Sequence, residues 1–445
     1  MKATQINDVD LIRQAALPFS SDDHYQPLLD AIGNARFVLL GEASHGTHEF
    51  YAIRNRLTQR LIAEKGFTAV VVEADWPDAW RVNRYVRGFN DDGDGDAALS
   101  GFRRFPQWMW RNTDVVDFVT WLRRHNESVA PQQPKSGFYG MDLYSLHGSI
   151  RAVVDYLEKI DPAAAGRARY RYGCFEDFGE DPQAYGYAAG FDMDRSCEDK
   201  VVEQLSELRR RAGDYANRDG RVAEDEYFFA EQNARLVINA EQYYRAMFDR
   251  RVNTWNLRDT HMVDTLDALT AYLDRHVGPT RVVVWAHNSH LGDARATDTG
   301  EQGQLNVGQL VRERWPKESF SVGFTTHDGV VTAASDWDAP AERKRVRPSI
   351  PDSYERLFHD AGLARLLLLL RDPTLRSRLS TPRLERAIGV IYRPETERWS
   401  HYFHARLAEQ FDAVIHIDRT TAVRPLEMVA TWKSEEPDET FPSGL

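Results

Sequence analysis

Residues 41 to 46 read GEASHG and set a carboxylate, a hydroxyl and an imidazole along one short segment. Glu42 and His45 carry the most chemistry. A carboxylate beside an imidazole can hold it in one tautomer and stabilise its protonated form, which suits a general base acting on water. Ser44 raises a competing reading, because the stretch from Glu42 to Gly46 approaches the nucleophile-elbow pattern G-x-S-x-G. Glu42, however, occupies the place of the elbow's first glycine, where the crowded backbone would resist a side chain. Water activated by His45 is therefore the preferred chemistry.

Other ionisable residues sit in the same relation to β-prone runs. TAVVVEA ends on Glu73 with Asp75 just after, GFYGMD ends on Asp142, and RVVVWAH delivers His287, Asn288 and His290. In open α/β sheets ligands bind beyond the carboxyl ends of the strands, so these positions are expected to meet Glu42 and His45 in one pocket. His287 and His290, spaced i and i+3, could also share a helical face as metal ligands, with Glu42, Glu73 and His45 completing a set that zinc or manganese accepts. No H-E-x-x-H helix accompanies them. Gly41 and Gly46 permit a tight strand-to-helix turn. The helix expected from about Thr47 would aim its free N–H groups at the pocket, where they could hold an oxyanion. Arg54, and Arg258 with Asp259, are charges within amphipathic stretches, for which surface ion pairs are the ordinary explanation. Trp108, Trp110, Tyr144 and Trp255 would line an apolar cleft or fill the core.

The elements that must hold these residues are legible as continuous apolar runs: 36–42, 68–74, 137–142 and 281–287, then SFSVGF near 319, IGVIY near 388 and FDAVIHID near 411. Runs of this kind mark strands covered on both faces, and helical periodicity lies between them. The class is α/β, a mostly parallel central sheet flanked by helices. Asp75 should cap a helix entered through Trp76 and Pro77, and another helix should run from about Pro106 to Arg124. Between 196 and 276 only amphipathic helical patterns occur, read as a helical insertion near the strand ends within a single domain spanning 1–445.

Composition excludes several classes. With 42% apolar and 28% charged residues the chain is globular, and its net charge of -12 argues against a nucleic-acid partner. No apolar run approaches the roughly 18 residues of a membrane span, and the first residues lack a signal-peptide pattern. Two cysteines, Cys174 and Cys197, are too few for a disulfide framework and read as buried free thiols, which points to the cytoplasm. The acidic tract from Asp92 fails as a calcium loop, because Ala97 replaces the turn glycine and Arg103 the bidentate glutamate.

Taken in order, GEASHGTHEFYAIRNRLTQRLI, VVVEADWPDAWRVNRYVRG, RFPQWMWRNTDVVDFVTWLR, GFYGMDLYSL, NLRDTHM and VVVWAHNSHLGDAR resemble the erythromycin esterase family over about residues 20 to 430. The resemblance implies hydrolysis of a carboxylic ester, in the best-known members a macrolactone. It implies His45 as the essential base, with Glu42, Glu73, Arg54, His287 and His290 matching further motif positions. It also implies a metal-independent mechanism, so no cofactor is expected. The expected catalytic set is His45, Glu42, Glu73 and His287. Arg54, His290, Asp142, Arg258, Asp259 and Trp110 are the candidate contacts to a small-molecule ester. A metal-dependent hydrolase built on the same residues, and a non-catalytic binder of a hydrophobic metabolite, are the alternatives.

Overall fold

Val, Leu and Ile dominate runs with no polar face, and in the computed structural model these runs become strands buried on both sides. The structure describes residues 7–20, 25–130, 132–192, 196–216, 221–249, 251–428 and 432. The strands are β1 (Leu17–Pro18), β2 (Phe37–Leu40), β3 (Ala69–Asp75), β4 (Gly137–Asp142), β5 (Val282–Trp285), β6 (Ser319–Ala333), β7 (Glu342–Val346), β8 (Arg365–Leu369), β9 (Arg383–Arg386), β10 (Tyr402–Ala405) and β11 (Ala413–Thr420). The chain divides into two compact units, residues 1–70, 85–137 and 279–445 in one, and 71–84 and 138–278 in the other.

In the first unit the strand order runs β1-β8-β11-β6-β2-β5, with β7 on β6. The centre is parallel: β11 with β6, β6 with β2, and β2 with β5. The margins are antiparallel, β8 on β11, β1 on β8 and β7 on β6. Register matters most between β2 and β5, where Leu40 lies opposite Trp285. The residues that follow each strand therefore emerge at the same level. The helix His48–Lys65 buries Phe50, Tyr51, Ile53, Leu57 and Leu61, and ends at Gly66 in the left-handed region, a conformation that glycine adopts without strain. A second apolar cluster, including Tyr354, Phe358, Leu366, Leu368, Leu407 and Phe411, lies around β8 and β11.

In the second unit β3 lies next to β4. A side chain at Gly140 would collide with the Ala74 and Asp75 backbone, so this position on β4 requires glycine. Around them lie the helices Leu146–Ile160, Pro162–Tyr172, Pro182–Phe191, Glu198–Arg210, Arg221–Ala246 and Thr254–Val277. The core is aromatic: Trp80 stacks on Phe229 at 5.0 Å, and Phe228 on Tyr272 at 4.1 Å between ring centroids. Among the described residues no helix is long and apolar enough to cross a membrane.

Several sequence expectations change. The helical run begins at Leu146, well before the expected 196. IGVIY near 388 forms only isolated bridges, Ser44 with Ile388 and Ala334 with Ile391. The strand β8 falls on a leucine run, 365–369, that the strand reading above did not include. The stretch after Pro106 is a short 3-10 turn and a separate helix from Thr113, because the Asn112 side chain accepts from the Val115 amide and starts the helix there. Cys174 and Cys197 are not free thiols but a disulfide with 5.9 Å between Cα atoms. Helical turns close a separation of 23 residues to bridging distance, so cysteine usage no longer supports a cytoplasmic setting.

Candidate active site

Because β2 and β5 run in parallel register, the turns leaving them meet. The Asn288 amide donates to the Glu42 carbonyl at 2.8 Å, tying GEASHG to the segment WAHNSH. The Asn288 side chain in turn donates to the Phe324 carbonyl at 2.7 Å and accepts from the Phe324 amide at 3.3 Å. These bonds explain the glycines differently from a turn argument. Neither Gly41 nor Gly46 has positive φ. A Cβ at Gly41 would strike the Asn288 amide oxygen, and one at Gly46 would strike the Thr332 carbonyl, so both glycines serve close approach of backbone.

Glu42 is buried between two cations or potential cations. One carboxylate oxygen accepts from His45 Nδ1 at 2.9 Å, and the other from Arg54 at 2.5 Å. Arg54 lies twelve positions on, in the helix His48–Lys65, and is fully buried with its guanidinium over Tyr51 at 4.5 Å and Trp285 at 5.2 Å. The surface ion pair expected for Arg54 is thus a buried one. Two of its nitrogens, Nε and Nη1, have no hydrogen-bond partner among the described residues, which makes Glu42 the anion that offsets its charge.

The second imidazole, His287, lies with its ring centroid 4.9 Å from that of His45. Its Nδ1 accepts from the Ser289 amide at 3.2 Å and lies 2.8 Å from the Ser289 hydroxyl. An amide can only donate, so neutral His287 carries its proton on Nε2. A carboxylate can only accept, so neutral His45 carries its proton on Nδ1 and leaves Nε2 basic. The two neighbouring rings hold opposite tautomers. His290, one turn on, is buried at the end of the short helix Asn288–Leu291.

Ser44 is buried and bonded to the Thr47 hydroxyl. The helix N-terminus expected to face the pocket is partly engaged: the His48 amide donates to the Thr421 carbonyl at 2.9 Å, and the His48 ring bonds Asp114 at 2.9 Å. That second bond raises the His48 pKa. Trp110 is buried, with its ring 6.1 Å from that of Phe102.

The other sequence-selected residues come together in the second unit. Arg258 donates to Asp142 at 2.9 and 2.7 Å and to Glu73 at 2.7 Å, and its guanidinium covers the Tyr144 ring at 4.8 Å. These are buried pairs rather than the surface pairs expected. Their partners lie 116 and 185 residues away in sequence, beyond what local pattern can reveal. Burial would push the Asp142 carboxyl up, but the adjoining guanidinium holds it below its usual value. Asp259 is fully buried beside Arg258 in the helix Thr254–Val277. Glu73 therefore pairs with Arg258, while His45 Nδ1 pairs with Glu42. Spacing could not have found His261, a residue in the same helix bonded to Asn239 at 2.7 Å, whose pKa burial lowers to about 4. Among the described residues no group of three or more His, Cys, Asp or Glu is arranged to hold a metal ion.

A parallel-centred α/β fold carrying a carboxylate-held imidazole at the strand ends defines the class. The family model described as erythromycin esterase matches residues 62–420, and the chain belongs to the erythromycin esterase family. Membership supports assignment to the hydrolases at the level of the family. The chain is 21% identical to the erythromycin esterase type II of Escherichia coli over 421 residues, covering 91% of this chain and 94% of that protein. In fold it is similar to a solved succinoglycan biosynthesis protein (TM-score 0.75, 21% identity, 95% of this chain and 99% of that one). It is also similar to the erythromycin esterase EreC, solved as a mutant in its open conformation (TM-score 0.68, 17% identity, 90% and 95%).

Proposed function

We propose that the protein hydrolyses a carboxylic ester by general-base activation of water at His45, with large hydrophobic esters, macrolactones included, as the substrate class. The observation that carries the reading is the hydrogen bonding of the two neighbouring rings, Glu42 on Nδ1 of His45 and the Ser289 amide on Nδ1 of His287, which favours opposed tautomers. His45 offers a basic Nε2 because Glu42 takes its Nδ1 proton, and His287 offers an Nε2–H because Ser289 occupies its Nδ1.

In the reaction His45 Nε2 takes a proton from water as the water oxygen attacks the ester carbonyl carbon. Glu42 stabilises the imidazolium that forms, and Arg54, donating to the other carboxylate oxygen, fixes the position of Glu42. His287 donates to the oxyanion of the tetrahedral intermediate. Collapse breaks the carbon–oxygen bond to the leaving group, and the His45 imidazolium returns its proton to the departing alkoxide. One water and one ester give one acid and one alcohol. Ser44, bonded to Thr47, has no part in these steps.

Turnover of 4-nitrophenyl butyrate and of a macrolide panel by wild type, His45→Ala and Ser44→Ala tests the proposal. His45→Ala should fold normally and lose activity by at least about 100-fold. Ser44→Ala should keep most of it. Retained activity in His45→Ala, or an acyl adduct trapped on Ser44, would overturn the assignment.

A further inference from the structure

A cavity of about 330 Å³ lies wholly within the second unit, among residues the proposed hydrolysis does not use. Its walls come from one face of each of two consecutive helices. His147, Ile150 and Val154 recur at i, i+3 and i+7 on the helix Leu146–Ile160, and Arg169 and Tyr172 at i and i+3 on the helix Pro162–Tyr172. The 3-10 turn Gly173–Phe178 closes it with Phe175.

That closing turn is held firmly. Cys174, beside Phe175, is bonded to Cys197, and the Phe175 ring meets Tyr185 edge-on at 4.8 Å. Tyr185 is itself fixed, donating to Glu241 at 2.6 Å and accepting from the Cys197 amide at 2.9 Å. Such a wall is preformed, which lowers the ordering cost of any ligand.

Two wall residues carry buried polar atoms with no hydrogen-bond partner among the described residues, Nε2 of His147 and the hydroxyl of Tyr172. Orphaned polar groups of this kind are uncommon in folded proteins and call for an explanation. Burial lowers the His147 pKa and raises that of Tyr172, so both are neutral near pH 7. Among the described wall residues the cation is Arg169, which is paired with Glu158, and Glu176 adds a carboxylate to the lining. Apolar walls, neutral polar atoms and nearby carboxylates favour an uncharged guest over an anion.

We infer that this cavity is a second ligand site, for a small neutral alcohol or phenol whose hydroxyl bonds His147 and Tyr172 while its hydrocarbon body packs on Ile150, Val154 and Phe175. At about 30 Å³ for each water-sized group, the volume holds on the order of ten non-hydrogen atoms.

The test uses 2-naphthol, fluorescent and neutral at pH 7, against naphthalene, which lacks the hydroxyl, and 2-naphthoate, which is charged. In the full-length protein 2-naphthol should saturate one site, and the other two should bind at least about tenfold more weakly. Tyr172→Phe should weaken 2-naphthol about fivefold, the scale of one neutral hydrogen bond. Val154→Trp, at a half-buried position, should abolish binding, and Cys174→Ser with Cys197→Ser should weaken it. His45→Ala should leave it unchanged, which separates this site from the ester site. Equal binding of the three probes, indifference to Tyr172→Phe, or loss with His45→Ala would each overturn the inference. If Val154→Trp fails to fold, Tyr172→Phe and the probe series still decide.

Discussion

Replacing Glu42 by Gln tests the site through its electrostatics, because the amide is nearly the same size but cannot offset Arg54. The Arg54 guanidinium is fully buried and 2.5 Å from the Glu42 carboxylate. Opposite charges about 4 Å apart at an effective dielectric near 20 attract by roughly 4 kcal/mol. Breaking a buried pair by removing one partner typically costs about 3–5 kcal/mol. The contacts of Arg54 with Tyr51 and Trp285 survive the change but do not replace an anion. Glu42→Gln should therefore lower unfolding free energy by about 3–5 kcal/mol, read as a shifted urea midpoint at constant slope. Adding Arg54→Met removes the stranded cation and should recover most of that loss, since an apolar replacement of a buried pair is often near neutral. Activity should not follow stability. With no carboxylate to hold Nδ1–H and stabilise the imidazolium, kcat/KM should fall by about 100-fold or more in both the single and the double variant. Unchanged stability in Glu42→Gln would refute the buried-pair argument. Activity restored by Arg54→Met would refute the role given to Glu42.

Three further outcomes follow from other parts of the molecule. Arg258→Met removes the cation shared by Glu73 and Asp142 and should destabilise by about 3–5 kcal/mol at pH 7.5. Without Arg258, burial drives the Asp142 carboxyl up, so the deficit should shrink as pH falls toward 5; a deficit constant with pH would count against this account. His261, with its folded pKa lowered to about 4, takes up a proton more readily in the unfolded chain than in the folded one. Stability should be full above about pH 6.5 and fall as pH drops toward 4, by roughly 3 kcal/mol in all, and His261→Gln should flatten that slope in urea titrations. Opening the Cys174–Cys197 bridge, which spans 23 residues, should cost about 3 kcal/mol, measured by comparing the double serine variant with wild type; equal midpoints would contradict it.

Much of the architecture was legible because it rests on local regularities. Doubly covered strands need unbroken apolar runs, so β2 through β5 could be located from sequence to within a residue or two, as could the ionisable residues that end them. Signals failed where two structures share one pattern. The leucines of β8 fall outside the strand reading, and IGVIY has strand chemistry but makes only single bridges. A 3-10 turn and a new helix replaced one expected helix because a single capping residue, Asn112, decided the boundary.

By itself the sequence determined which groups are available, a carboxylate and an imidazole in GEASHG and two further imidazoles after β5, together with the strand ends that carry them. Tertiary structure decided the pairings. Glu42 rather than Glu73 holds His45, Arg54 is a buried counter-charge, Arg258 gathers Glu73 and Asp142, and Cys174 meets Cys197. The physical reason is range. Propensity and periodicity act over a few residues; apart from Glu42 and His45, three positions apart, these hydrogen bonds and ion pairs depend on ångström distances between groups 12 to 185 positions apart, which exist only once the chain is packed.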